Sequence, residues 1–443
     1  MKITFILPAI GKKPGEKYIG TWKMEPLTIA VLKSLTPPNI ETEFYDDRIE
    51  CINYDTKTDL VIITVETYTA QRSYWIADQF RQRGIPVIMG GYHVTLLPEE
   101  ARQYANSIIT GNAENVWKTM LQDFQNQKLK KVYHGTVEYS DVPPDKSIFA
   151  GKKYLPISLV ETGRGCCHSC EFCAISTYYH CKYYQREHEH IIRDIENSTH
   201  NFYFLVDDNL IADLNNAKTL LQKIEPLKIK WAGQGTLAMA KDKELLKLMK
   251  KSGCELILIG FESLEEESLK QMNKSFNATL GERDELVQRI HDAGIGIYAT
   301  FVFGYDGDTY QTFADTLDFA KKHNFYTAAF NHLLPHPGTR LYQRLKEEKR
   351  LIYDQWWLDE HYIYGDIAFQ PKNMSAAELS QLCRQARKEF ANFSTVVKRG
   401  LYSIKRSSPL MWLLFWSMNL RLGKEVDEKM KIPLGRNLDE LPK

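Results

Sequence analysis

Short apolar runs alternating with amphipathic stretches recur along the chain, and this rhythm restricts it to sheets or barrels of parallel strands covered by helices. In the first part the runs are Ile3 to Pro8, Glu43 to Tyr45, Leu60 to Val65, Pro86 to Met89 and Ser107 to Thr110, separated by helical patterns such as Tyr74 to Arg83. They read as an open parallel α/β sheet of flavodoxin or Rossmann type, whose ligands sit beyond the carboxyl ends of the strands. The segments at those ends are Ala9-Ile10-Gly11, Glu66-Thr67-Tyr68-Thr69, Gly90-Gly91-Tyr92-His93 and Gly111-Asn112-Ala113-Glu114.

From Gln125 to Lys153 the sequence is polar and then proline-bearing, with no sustained period, which reads as a linker. A second series follows: Ser158 to Glu161, Phe202 to Val206, Ile229 to Ala232, Leu256 to Phe261, Ile297 to Phe303 and Thr327 to His332, with helical stretches between them. Six β/α units in series imply a TIM-like barrel or partial barrel, with its chemistry at the carboxyl ends of the strands. Beyond Tyr353 the chain is aromatic (Trp356, Trp357, Tyr362, Tyr364) and then helical. The expected division is an α/β domain over 1–125, a linker over 126–156, a partial (β/α)6 barrel over 157–345 and a helical extension over 346–443.

With 443 residues and 43% hydrophobic content the chain has enough apolar material for two or three domains. Lys plus Arg is 57 against 56 for Asp plus Glu, so no bulk electrostatic attraction favours nucleic acid. Five of the eight cysteines crowd between Cys166 and Cys181, which argues for metal or redox chemistry in a reducing, cytoplasmic setting rather than a disulfide framework. The apolar start, Met1 to Ile10, lacks the cleavage site of a signal peptide and reads as a first strand. The apolar run Pro409 to Leu420 would span roughly 18 Å as a helix, short of a hydrocarbon core of roughly 30 Å.

The densest chemical signal is Gly163-Arg164-Gly165-Cys166-Cys167-His168-Ser169-Cys170-Glu171-Phe172-Cys173, a Cys-x3-Cys-x2-Cys loop after the first barrel strand. Three thiolates so close in a loop suit three irons of a four-iron, four-sulfur cluster, leaving the fourth iron open to a small molecule. A structural zinc site using Cys167, Cys181 or His168 as a fourth ligand is the alternative, although zinc sites favour paired ligands on two separated knuckles. Cys167 and Cys181 read as bystanders.

The triad Cys166, Cys170 and Cys173, with Phe172 before the last cysteine, resembles the cluster loop of the radical S-adenosylmethionine (radical SAM) superfamily, over Ser158 to about Tyr342. The resemblance implies an open iron that binds the amino and carboxylate groups of S-adenosylmethionine, and reductive cleavage to a 5'-deoxyadenosyl radical that abstracts hydrogen from substrate. It places Phe172, Asp207, Gln234, Glu262 and Phe301 around S-adenosylmethionine. Asp207, in Val206-Asp207-Asp208-Asn209 where the family often has Gly-Gly-Glu, is the first choice to receive the methionine ammonium. An N-cap for the helix that follows is its alternative role. Gln234 and Glu262 would lie near the ribose and carboxylate, or else satisfy loop backbone, and Phe301 near the adenine.

The first domain, Met1 to about Phe124, resembles the cobalamin-binding domain that precedes the barrel in one radical SAM subfamily, through Gly90-Gly91-Tyr92-His93, Leu97-Pro98-Glu99-Glu100 and Gly111-Asn112-Ala113-Glu114. By analogy Glu66, Thr67, Tyr68, Gly90, Gly91, Tyr92, His93 and Gly111 would face the corrin. The chain lacks the Asp-x-His-x-x-Gly motif of proteins that supply a lower-face histidine, as members of that subfamily generally do. A degenerate sheet that binds nothing is the alternative.

Leu410, Trp412, Leu413, Leu414, Phe415 and Trp416 make a helix apolar almost all round, flanked by Lys398, Arg399, Lys405 and Arg406 upstream and Arg421 and Lys424 downstream. Such a helix is either packed internally or, through 409–422, an interfacial anchor on the inner face of the membrane. The expected function is a cobalamin-dependent radical SAM enzyme that methylates an unactivated carbon of a hydrophobic small molecule, a lipid if the anchor holds, with flavodoxin or ferredoxin as reductant. A ring-forming, rearranging or oxidising radical enzyme, and a non-catalytic cobalamin or metal module, are the alternatives. No side chain is assigned as a catalytic acid or base.

Overall fold

A computed structural model describes residues 1–18, 23–280, 283–404 and 406–439, so that Lys405 of the basic flank lies outside the described residues. The chain forms two compact units: Met1–Pro156 with Tyr353–Gly365 and the residues from Lys431 onward, and Ile157–Ile352 with Asp366–Met430.

In the first unit β1 (Lys2–Leu7), β2 (Glu41–Asp46), β3 (Leu60–Thr64), β4 (Val87–Gly90), β5 (Ser107–Thr110) and β6 (Val132–His134) pair in parallel in the order β2-β1-β3-β4-β5-β6. The inner strands β1, β3, β4 and β5 are mostly apolar runs because helices bury both faces of the sheet, whereas the edge strand β2 (ETEFYD) is largely polar. Ile3, Phe5, Ile62 and Ile88 pack with Ile29 and Trp117 from helices Leu27–Leu35 and Glu114–Gln125, and the alternate residues Val61, Ile63 and Met89 are equally buried. Strand order reverses between β1 and β3, and the ligand crevice of such sheets lies beyond that point.

Residues 126–156, expected as a linker, instead complete this unit. β6 extends the sheet and buries Tyr133, and Phe149 enters the same core. A three-residue strand and a single helical turn are too short to show a period. Part of the expected extension also belongs here: Trp356, Trp357 and Tyr362 are buried, and Ile363–Tyr364 pairs antiparallel with Ile432–Pro433.

The second unit adds β7 (Ser158–Val160), β8 (Gly163–Gly165), β9 (Tyr183–Gln185), β10 (Phe202–Leu205), β11 (Lys230–Gly235), β12 (Cys254–Glu262), β13 (Gly296–Phe303) and β14 (Thr327–His332). Six of these form a sheet in the order β14-β13-β12-β11-β10-β7, every pair parallel, while β8 and β9 make a separate antiparallel ribbon. Sequential parallel strands with helical crossovers are the winding of a barrel, here a partial (β/α)6 barrel whose edges are β7 and β14. Ile257, Ile259, Phe261, Ile297, Phe301 and Phe330 are buried in the layer shared with the helices. Their neighbours Leu258, Thr300, Val302 and Asn331 turn to the opposite, inward face, as the two-residue period of a strand requires.

Helix Ala376–Phe390 covers the β14 edge, where Arg387 donates from Nε to the Phe330 carbonyl at 2.8 Å and from Nη2 to Asn331 Oδ1 at 2.8 Å. Helices Phe393–Ser403 and Pro409–Lys429 follow. They are locked by the buried Arg399, which donates to the carbonyls of Phe325, Tyr326 and Phe390 and to Asn419 Oδ1 while lying 3.9 Å from the centre of the Phe390 ring. Burial pulls the Arg399 guanidinium down to about 9, yet four acceptors surround it. Replacing it strands buried carbonyls, each worth about 1 to 3 kcal/mol when left without a donor. Arg399→Met is therefore expected to lower the thermal unfolding midpoint of the chain clearly, and an unchanged midpoint in calorimetry would contradict this account of the packing.

Candidate active site

The cysteine loop has little secondary structure of its own and is held by side chains lent from neighbouring elements. Three consecutive residues after β10 pin its first part. Asp207 Oδ1 accepts from the Thr162 backbone N–H at 2.7 Å and Oδ2 from the Thr162 hydroxyl; Asp208 Oδ2 accepts from the Gly165 N–H at 2.8 Å; Asn209 Nδ2 donates to Cys166 Sγ at 3.8 Å. The next part is held from the other side. Asn273 and Arg340 donate to the Ser169 carbonyl at 3.0 and 3.1 Å, Leu341 N–H donates to the Glu171 carbonyl, and Arg344 grips the Glu171 carboxylate with Nε at 2.6 Å and Nη2 at 3.1 Å. Phe172 packs against the barrel core, and Cys173 leads into helix Ala174–Tyr178.

Cys166, Cys170 and Cys173 are partly buried and free, whereas Cys167 is exposed. Burial, with the charges of the neighbouring thiols, pushes Cys166 up, and pushes Cys170 up to about 12 against the pull of Lys274. The three sulfurs thus lie within electrostatic reach of one another. Among the described residues no three His, Cys, Asp or Glu side chains converge as they would around a single ion. A four-iron cluster takes one thiolate per iron, so the three thiols of this loop can serve three irons.

Two charged groups, Glu262 and Lys274, act on this loop. Glu262 ends β12 at a bulge opposite Phe301, with the left-handed φ of +62° that side chains rarely adopt, and accepts from Lys274 Nζ at 2.7 Å. Lys274, itself buried, also donates to the Gly260 carbonyl at 3.1 Å, and both charges act on Cys170. Gln234, half-buried at the end of β11, pairs in register with Leu258 and so takes the inward face. Lys274 carries no motif in the sequence; only its position in the loop region after Glu262 could have drawn notice.

Two expected S-adenosylmethionine contacts need correction. Asp207 is fully buried with both oxygens engaged by Thr162, so it braces the loop instead of offering a carboxylate to an ammonium. Its alternative as an N-cap fails too, because Asp213 caps helix Leu214–Ile224. Phe301 is fully buried between Phe261 and Phe330, on the helix side of β13. The inward side chains of that strand are its neighbours Thr300 and Val302.

In the first unit the expected corrin-facing segments do lie at the carboxyl ends of β3, β4 and β5. Glu66 is exposed, and Tyr68, Gly90, Tyr92 and Gly111 are partly so. Tyr68 rests against Trp356 and Tyr364 at ring separations of 5.0 and 5.1 Å. Gly91 is set by packing, since at φ +113° a Cβ would stand 2.7 Å from the Val65 carbonyl oxygen. His93 and Thr67 are corrections. His93 is completely buried, with Nδ1 3.3 Å from Thr67 Oγ1 and Nε2 3.0 Å from Glu100 Oε1 and 3.1 Å from the Tyr74 hydroxyl. Neither ring nitrogen is free for cobalt, and Thr67 serves the histidine. Burial raises the Glu100 carboxyl, but hydrogen bonds from His93, Tyr74 and Trp357 prevail and hold it below its ordinary range. The donors present therefore fit a corrin held without a histidine ligand.

With this geometry in view, comparison with known proteins defines the class. Residues 160–320 match the radical SAM superfamily. Over 361 residues the chain is 30% identical to bacteriochlorophyllide d C-8(2)-methyltransferase of Chlorobaculum tepidum, covering 74% of this chain and 78% of that protein. It is 28% identical over 414 residues to the C-12(1)-methyltransferase of the same organism, covering 90% and 88%. The solved structure of OxsB, a cobalamin-dependent S-adenosylmethionine radical enzyme with aqua-cobalamin bound, shares the fold at a TM-score of 0.69 and 15% identity, covering 96% of this chain and 72% of that one. The chain belongs to the radical SAM enzymes that carry an N-terminal cobalamin-binding domain.

The buried brace has a measurable signature. Burial pushes the Asp207 carboxyl up from its ordinary 3.8 to about 7, so the folded protein keeps a proton that the unfolded chain has lost. The stability that this group contributes declines as pH rises from about 4 through about 7. Asp207→Asn, which keeps an acceptor for Thr162, is expected to gain stability relative to wild type across that range. Unfolding midpoints of the two proteins that run parallel from pH 5 to 8 would contradict it.

Proposed function

We propose that this chain is a methyltransferase that builds a carbon–carbon bond at an unactivated position of a hydrophobic small molecule. The observation that carries the reading is the three-cysteine loop pinned at the carboxyl edge of the partial barrel, in a chain similar over most of its length to two C-methyltransferases. Cys166, Cys170 and Cys173 would hold the four-iron cluster, and the open ends of β3, β4 and β5 would receive cobalamin. When bound, the cluster with S-adenosylmethionine supplies hydrogen-atom abstraction and cobalamin supplies the methyl group.

The protein's own part is positional. Asp207, Asp208 and Asn209 hold the first cysteine in place, and Asn273, Arg340 and Arg344 hold the segment between the first and last. Glu262, aimed by its left-handed backbone and paired with Lys274, offers a carboxylate beside the second cysteine. Gln234 offers an amide on the inward face. Glu262, Gln234 and Phe172 would contact S-adenosylmethionine. An external one-electron reductant of flavodoxin or ferredoxin type completes the requirement.

Anaerobic reconstitution with iron, sulfide and hydroxocobalamin, followed by elemental analysis, is expected to leave about four irons and one cobalt per chain. Iron without cobalt would exclude the methylcobalamin route and promote a ring-forming or oxidising reaction, and zinc without iron would overturn the radical chemistry. Cys166→Ala, Cys170→Ala and Cys173→Ala should each lose the cluster absorbance, whereas Cys167→Ala and Cys181→Ala should keep it. The product should be heavier than the substrate by one CH2, read by mass spectrometry.

A further inference from the structure

The terminal helix Pro409–Lys429 has two opposite faces. Met411, Phe415, Asn419 and Val426 are buried, and the face is fastened by hydrogen bonds from Asn419 Nδ2 to the Tyr326 carbonyl at 3.1 Å and from the Tyr326 hydroxyl to the Met411 carbonyl at 2.7 Å. At 100° per residue, Leu410, Leu413, Leu414 and Leu420 project from the other side of the helix, and all four are exposed, Leu413 by 61%. The preceding helix repeats the pattern. Phe393 and Leu401, with Ile404 just past its end, stand out at 73%, 61% and 48% exposure. The two helices are joined by the bond from Trp412 Nε1 to the Gly400 carbonyl at 3.1 Å. A monomer seldom leaves this many large apolar side chains on neighbouring helices uncovered without a use for them.

Charge decides what covers them. The whole chain is balanced, at 57 basic against 56 acidic residues, yet from Phe390 to Lys424 it contains no Asp or Glu at all. The same stretch contains the exposed Lys398, Arg406, Arg421 and Lys424. Arg421, next to Leu420, and Lys424, about one turn beyond it, lie on the exposed side of the terminal helix, and Lys398 lies about one turn before Leu401. No carboxylate pairs with Lys398 or Arg421 among the described residues. A second copy of the chain would set this basic surface against itself under two-fold symmetry. An anionic lipid surface satisfies both components, because acyl chains take the leucines and headgroups take the lysines and arginines. No helix among the described residues is long and apolar enough to cross a membrane, so the contact is in-plane.

We propose that the outward stripes of helices Phe393–Ser403 and Pro409–Lys429 form a docking surface for an anionic membrane, seated on a rigid base by Arg399 and Asn419. This inference stands whatever the reaction turns out to be. The test is co-sedimentation of the full chain, purified anaerobically, with vesicles of phosphatidylethanolamine and phosphatidylglycerol, and with vesicles of phosphatidylcholine alone. The chain is expected to bind the anionic vesicles roughly tenfold or more tightly than the neutral ones, and less tightly as salt is raised. Leu413→Glu with Leu420→Glu should abolish binding, and Lys398→Glu with Arg421→Glu should weaken it roughly tenfold or more. Thermal midpoints and iron content should stay at wild-type values, since all four side chains are exposed; Leu413→Ser with Leu420→Ser repeats the test with gentler changes. Absence of binding to anionic vesicles, binding indifferent to all three pairs of substitutions, or a dimer in sedimentation equilibrium that Leu413→Glu dissociates would each overturn the proposal.

Discussion

A loop that gathers three thiols in so few residues cannot be shaped by its own backbone, because a regular strand or helix there would direct the cysteines to fixed faces. Its form is imposed from outside, by the turn that follows β10. Asp207, Asp208 and Asn209 each reach one group of the loop in succession, and the deepest of these contacts, the Asp207 carboxylate on Thr162, is buried completely. A buried polar contact of that kind is demanding, because any shift leaves a donor or acceptor unpaired. The barrel therefore transmits the rigidity of its strands to a segment that has little of its own. Glu262, Gln234 and the inward face of β13 are arranged relative to that fixed loop.

The first unit solves a different problem with the same means. A sheet that leaves the ends of β3, β4 and β5 open needs firm loops there, and His93 supplies one of the props by joining Thr67 to Glu100 and Tyr74. Trp357, from a segment far along the chain, closes the network on Glu100. The histidine expected to face the corrin is thus a structural group. The face above it is left to backbone, Tyr68 and Glu66.

The inner strands of the first sheet and the six barrel strands were legible because most are apolar runs bounded by polar or glycine-bearing segments. The triad Cys166, Cys170 and Cys173 stood out because its signal is spacing, which the chain displays directly. What could not be read was orientation. Phe301 and Thr300 adjoin in sequence but point to opposite faces of β13, so a one-residue difference exchanges a core side chain for an inward one. Asp207 and Asp208 pose the same difficulty, since only folding reveals which is sealed. β6 and the β8–β9 ribbon are three residues long and below the reach of periodicity, and the return of 353–365 to the first unit is a long-range pairing with no local mark.

An incomplete barrel has two raw edges, and rows of unpaired peptide groups invite strands from other molecules. β7 offers only three residues to such pairing. At the opposite edge Arg387 donates from its guanidinium to the Phe330 carbonyl and holds Asn331 beside it, beneath the helix Ala376–Phe390. The helical C-terminal segment thereby acts as a guard against self-association. The barrel can thus stay incomplete without its β14 edge becoming a template for another chain.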